Sequence, residues 1–132
     1  MFDDNRSKRK DKLGGTRSLL EENSRIRNLL SEPACVELLR SKAEEVASHI
    51  QEYESYGFKV VGVVGINRSP SCGVETTSSD GHEVEGQGVF IELIAEALRG
   101  RRQTIKMIGV KTSKREESVQ KVRQFIAESN RT

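Results

Sequence analysis

Hydrophobic residues recur at helical spacing in four stretches of the chain and crowd together without spacing in two others. Leu19, Leu20, Ile26, Leu29 and Leu30 fall on one face of a helix that Thr16 can cap, because a hydroxyl there accepts a hydrogen bond from a first-turn N–H. Ser31-Glu32-Pro33 reads as a break and a new start, since proline is tolerated in a first turn. Val36, Leu39, Ala43, Val46, Ala47, Ile50 and Tyr53 then recur every three or four residues as far as Gly57, which suits a helix C-terminus.

Phe58 to Ile66 is nearly all apolar and β-branched, the pattern of a strand buried on both faces as in a parallel sheet. Ile105 to Val110 reads as a second strand of the same kind. From Asn67 to Gly88 the composition turns to Ser, Thr, Gly, Asp and Glu, which predicts a loop of about twenty residues, a length associated with function or disorder. Asp80-Gly81 can turn a hairpin inside it, between Val74-Glu75-Thr76-Thr77 and His82-Glu83-Val84. Val89, Phe90, Leu93, Ile94, Ala97 and Leu98 form the face of the next helix, ended by Gly100, with Arg99, Arg101 and Arg102 suited to its negative end. A last helix starts near Ser113, turns Val119, Val122, Phe125 and Ile126 inward and frays at Asn130.

Strand, helix and strand make a βαβ unit, whose first loop lies at the carboxyl edge of the sheet, where ligands of open α/β sheets bind. The expected fold is therefore α/β, a Rossmann-like three-layer domain with a small, mainly parallel sheet flanked by helices, over residues 16–132. Two strands make a poor sheet, so an apolar edge is left over. A homodimer is the expected remedy. The alternative is a monomer in which the helix from Thr16 to Leu30 folds over the gap.

A length of 132 residues fits one domain, and 34% hydrophobic against 32% charged residues describes a soluble, helix-rich protein. No apolar run nears the roughly 20 residues of a membrane helix, and Met1-Phe2-Asp3-Asp4 does not look like a signal segment, so a cytoplasmic protein without a membrane partner is expected. The 22 basic and 20 acidic residues are mixed along the chain, which gives no global field for nucleic acid. Arg6, Lys8, Arg9, Lys10 and Lys12 crowd the first fifteen residues, which read as a disordered basic tail in preference to a nucleic-acid-binding arm. Cys35 and Cys72 are too few for a disulfide framework and are expected as free thiols.

Chemistry gathers in Gly65-Ile66-Asn67-Arg68-Ser69-Pro70-Ser71-Cys72-Gly73-Val74, which sets a thiol and two hydroxyls at a strand end. Such a thiol can ligate a metal or act as a nucleophile, or it can be a small half-buried side chain in a tight turn. Gly86-Gln87-Gly88, before a helix, can let N–H groups approach an anion or can simply open the helix tightly. His49 and His82 are too far apart for a zinc spacing, and none of Glu75, Glu83 and Glu85 stands out as an acid or base.

The strand, the motif Ser69-Pro70-Ser71-Cys72-Gly73-Val74, the polar stretch and Glu85-Gly86-Gln87-Gly88-Val89-Phe90-Ile91-Glu92 closely resemble the 2-thiouracil desulfurase-like proteins, over roughly residues 36–126. The resemblance implies a desulfidase that takes sulfur from a thiolated base or similar small molecule through a [4Fe-4S] cluster on three cysteines. Cys72 would be the metal ligand. Cys72, Gly73, Gly86 and Gly88 form the implied cofactor-binding set, with Ser69 and Ser71 beside the substrate as the catalytic pair. The family's Cys-Leu-Leu and Cys-Pro-Glu motifs are absent, and Cys35 opens a predicted helix, where it packs as a small apolar residue. Two other readings stand beside this one: a non-enzymatic α/β binding or assembly module without the cluster, and a cysteine-nucleophile enzyme, for which no histidine partner is evident.

Overall fold

The computed structural model describes residues 8–10 and 16–130. In chain order the elements are β1 (Lys8–Lys10), β2 (Thr16–Ser18), α1 (Leu19–Leu30), α2 (Pro33–Ser55), β3 (Val63–Ile66), β4 (Thr76–Ser79), β5 (His82–Glu85), α3 (Val89–Gly100), β6 (Met107–Val110) and α4 (Arg115–Ser129). Of the expected basic tail, Lys8–Lys10 pairs antiparallel with Thr16–Ser18, and the rest lies outside the described residues. Because Thr16 belongs to β2, the cap of α1 is Ser18, whose Oγ accepts the Glu21 N–H at 3.1 Å. No helix among the described residues is long and apolar enough to cross a membrane.

The core lies between α2 and α3. Ala43, Ala47 and Ile50 meet Leu93, Ile94, Ala97 and Leu98, with Val60, Ile105 and Met107 packed against them. The alanines on α2 let the two helices approach closely, and the apolar area removed from water supplies the driving force. β3 and β6 pair in parallel, in register from Val63 with Met107 to Ile66 with Val110. Beyond this pair α4 seats Phe125 over Gly62, where a Cβ would stand 2.3 Å from the ring. The result is the expected small α/β domain, its parallel strands flanked by helices.

The strand read as Phe58 to Ile66 is shorter, Val63–Ile66, and it is not buried on both faces: Val64 and Ile66 stay 48% and 45% exposed. Val64 and Ile66 point to one face of the strand and the buried Gly65 to the other, so one face is only partly covered, and β3 pairs with β6 and with no other strand among the described residues. The hairpin forms about Asp80-Gly81 as read, with β4 and β5 in register from Thr76 with Glu85 to Ser79 with His82. Both turn residues take positive φ, +51° and +78°, as this type of hairpin turn requires. α1 does not cover the edge of β3 but lies on the hairpin. Ser24 Oγ accepts the Gly81 N–H at 2.9 Å, and Arg27 donates to Thr77 Oγ1 at 3.1 Å and to the Gln87 carbonyl at 3.2 Å.

Candidate functional site

β3 gives way to the loop at Asn67, whose side chain is buried and organises the turn. Its Oδ1 accepts the N–H groups of Glu75, Val74 and Thr76 at 3.0, 3.2 and 3.4 Å, and its Nδ2 donates to Glu75 Oε1 at 2.9 Å. Glu75 Oε2 accepts the Gly109 N–H at 2.8 Å, and Lys121 Nζ donates to Glu75 Oε1 at 2.5 Å and to the Gly109 carbonyl at 2.6 Å. Partial burial pushes the Glu75 carboxyl up, but hydrogen bonds from Lys121, Asn67 and the Gly109 N–H, together with the lysine charge, outweigh it and hold the group below its ordinary value. Gly109 must lack a side chain here, since a Cβ would stand 2.0 Å from Asn67 Oδ1.

Past Asn67 the loop brings Ser69, Ser71 and Cys72 together. Ser69 Oγ accepts the Cys72 N–H at 3.0 Å and lies 3.4 Å from Ser71 Oγ, which is itself 3.3 Å from Cys72 Sγ. The Ile66 N–H donates to the Cys72 carbonyl at 2.8 Å and the Gly73 N–H to the Ser69 carbonyl at 3.1 Å, so the turn is tied back to the strand it leaves. Both thiols are half-buried: Cys72 in this turn, Cys35 in the first turn of α2.

The same loop caps α3. Its carbonyls take the first N–H groups of the helix: Val89 donates to Pro70 O at 2.9 Å, Phe90 and Ile91 to Ser71 O at 3.0 and 3.1 Å, and Gly88 to Gly73 O at 2.9 Å. A Cβ on Gly88 would lie 2.4 Å from the Ser71 carbonyl carbon. Gly86 sits at φ +139° and donates to the Glu75 carbonyl at 3.0 Å. Gly86 therefore supplies a positive φ and Gly88 a close backbone approach, and these two N–H groups, being engaged, do not present an anion cradle.

A concave space of about 280 Å³ opens between the carboxyl ends of β3 and β6. Asn67, Arg68, Ser69 and Pro70 form one wall, Lys111, Thr112 and Ser113 the other, and Leu19 and Asn23 of α1 close it. Arg68 Nε lies 3.6 Å from Glu83 Oε1 and Lys111 Nζ 3.2 Å from Glu83 Oε2, so two cations share one carboxylate. Burial pushes the Glu83 carboxyl up, while the Thr76 hydrogen bond and the bond and charge of Lys111, with the Arg68 charge, hold it below its ordinary value. Arg68 takes φ +74°, a conformation uncommon for a residue with a Cβ, and its Nε is buried with no hydrogen-bond partner among the described residues.

Ser69 reaches this cleft, whereas Cys72 is not on its walls. A cluster held in the implied manner needs three thiolates, and Cys72 is the loop's single thiol. No three His, Cys, Asp or Glu side chains gather as a metal site among the described residues, so the loop's donor set does not fit the cluster. Arg68 and Lys111 were not singled out by sequence reasoning. The signal was positional, for each follows directly, or after one residue, on a predicted strand at the carboxyl edge. Compared with known proteins, the chain matches no family model, no curated protein and no solved structure.

Proposed function

We propose that the chain is an α/β binding module that seats a small molecule bearing an anionic group in the cleft between β3 and β6. The observation that carries this reading is the pair Arg68 and Lys111 sharing Glu83 on the walls of that space, which leaves one positive charge in excess beside the hydroxyls of Ser69, Thr112 and Ser113. A guanidinium whose buried Nε is ion-paired with Glu83 at 3.6 Å but makes no hydrogen bond among the described residues is a group a phosphate or carboxylate would satisfy. The space is near the lower limit of ligand pockets, which suits a small ligand. The test is calorimetric titration with inorganic phosphate and with a nucleoside monophosphate, in the whole chain and in Arg68→Gln. Saturable binding that weakens with salt and is lost in the variant is the expected result. Heat of dilution alone would overturn the reading.

A second reading, sulfur handling in the manner of the 2-thiouracil desulfurase-like proteins, is favoured by the run Ser69 Oγ, Ser71 Oγ and Cys72 Sγ at hydrogen-bond spacing. It requires that the remaining cluster ligands come from another polypeptide. Anaerobic reconstitution with iron and sulfide tests it, a colourless, iron-free chain leaving the binding module. A homodimer across the exposed apolar face of β3 belongs to the proposal as well, supported by the exposure of Val64 and Ile66. A cytoplasmic setting goes with Cys35 and Cys72 as thiols.

A further inference from the structure

Both tyrosines of the chain and one of its four phenylalanines meet at the C-terminal end of α2. Tyr53, Tyr56 and Phe58 wall a cavity of about 320 Å³ that His49 and Glu52 complete. These rings are 60%, 76% and 64% exposed, far from the usual fate of aromatic side chains in a chain with so few of them. Helix termination explains part of the grouping. Gly57, at φ +89°, donates its N–H to Glu54 O and Phe58 donates to Tyr53 O, both at 3.1 Å, which is a Schellman ending. The apolar clasp of that ending is the edge-to-face pair of Tyr53 and Phe58, with ring centroids 6.1 Å apart. Tyr56 has no part in the clasp, yet its ring completes the cavity.

Negative groups stand on the wall of this cavity and at the helix end beside it. α2 is 23 residues long, its C-terminus carries the negative end of the helix dipole, and no basic residue stands in its last turn. Glu52 has no ion-pair partner among the described residues. The nearby Lys59 directs its ammonium to the Ser129 carbonyl at 2.5 Å. Aromatic side chains beside a carboxylate without an ion-pair partner, at a negative helix end, attract a cation and gain little from a neutral or anionic ligand.

We propose that this cavity binds an organic cation, a quaternary or methylated ammonium group, with the three rings as its walls and Glu52 as its counter-charge. The site shares no residue with the cleft between β3 and β6, so it stands independently of that reading. Since the chain has no tryptophan and both its tyrosines line the cavity, intrinsic tyrosine emission reports on this site alone. Choline is titrated against its neutral isostere 3,3-dimethylbutan-1-ol at matched ionic strength. Choline is expected to change the emission saturably and to bind about tenfold or more tighter than the alcohol. Tyr56→Ala, which leaves the helix clasp intact, is expected to lose the binding, Tyr56→Phe to keep it, and Glu52→Gln to weaken it severalfold, with far-UV dichroism confirming each fold. Equal affinity for the alcohol would show a merely apolar hollow and overturn the proposal. So would the absence of saturation, or emission that changes with protein concentration alone, which would mark the corner as a contact between copies.

Discussion

Replacing Asn67 by alanine should cost the protein a large part of its stability, and the size follows from the bonds lost. Oδ1 serves the N–H groups of Glu75 and Val74 at 3.0 and 3.2 Å, and that of Thr76 at 3.4 Å, which is near the limit of a hydrogen bond. At about 1 kcal/mol net for each of the two shorter bonds, the acceptor side contributes about 2 kcal/mol. The bond from Nδ2 to the ionised Glu75 adds about 1 to 2 kcal/mol, discounted because that carboxylate is 45% exposed and keeps Lys121 and the Gly109 N–H. Water entering the turn restores some of this, leaving a loss of about 2–3 kcal/mol against a total stability of about 5–15 kcal/mol. Urea unfolding followed by circular dichroism should show the midpoint lowered by about 1–2 M at unchanged slope. Hydrogen exchange should show the amides of Val74 and Glu75 losing protection while those of α2 and α3 keep theirs under native conditions. A midpoint within about 0.2 M of the parent protein would refute the view that this side chain organises the turn. Asn67→Asp offers a contrasting sign: it keeps the acceptor but sets a second carboxylate beside Glu75, so its loss should be greatest at neutral pH and shrink as the pair takes up a proton.

Acidification should act on Glu75 and Glu83 together. Both are held below their ordinary value in the folded protein, so the stability they confer is complete above the ordinary glutamate range and is lost as pH falls through their lowered values. In a pH series of urea midpoints, Glu75→Gln and Glu83→Gln should each flatten the acid limb, and unchanged limbs would contradict the assignment. Gly88→Ala should destabilise by about 1–3 kcal/mol, because its Cβ would meet the Ser71 carbonyl at 2.4 Å; thermal unfolding at the parent temperature would show that the loop yields freely. Sedimentation at micromolar concentration should give a two-chain species that Val64→Lys returns to one chain, and a single-chain parent species would reject the dimer.

Where burial alone decides structure, the sequence was readable. Ala43, Ala47 and Ile50 recur at helical spacing and lie in the core, and Asp80-Gly81 turned the hairpin because few other pairs accept positive φ at both positions. The strand from Phe58 was overread because β-branched residues favour a strand without saying how many neighbours it will have, and β3 ends where its pairing with β6 ends. The position of α1 could not be read from its leucines, for Ser24 and Arg27 dock it on the hairpin through polar bonds that leave no periodic trace. In the site, the grouping of Ser69, Ser71 and Cys72 was legible as a motif, whereas the part of Gly73 is a close backbone approach, a Cβ there standing 2.0 Å from Thr76 O. Arg68 and Lys111 each carry a positional signal at a strand end, but their pairing on one carboxylate is set only when β3 and β6 lie side by side.

The carbonyls of Pro70 and Ser71 hold the first N–H groups of α3, and α3 supplies Leu93, Ile94, Ala97 and Leu98 to the core. A loop that usually varies without consequence is thereby made the abutment of the helix on which the interior rests. Substitutions that reshape it will shift the origin of α3 and be felt at Ala47 and Ile50, against which α3 packs. If the proposed cleft binds a ligand, its wall and the start of a core helix are one piece of backbone, and the first cannot be changed without answering for the second.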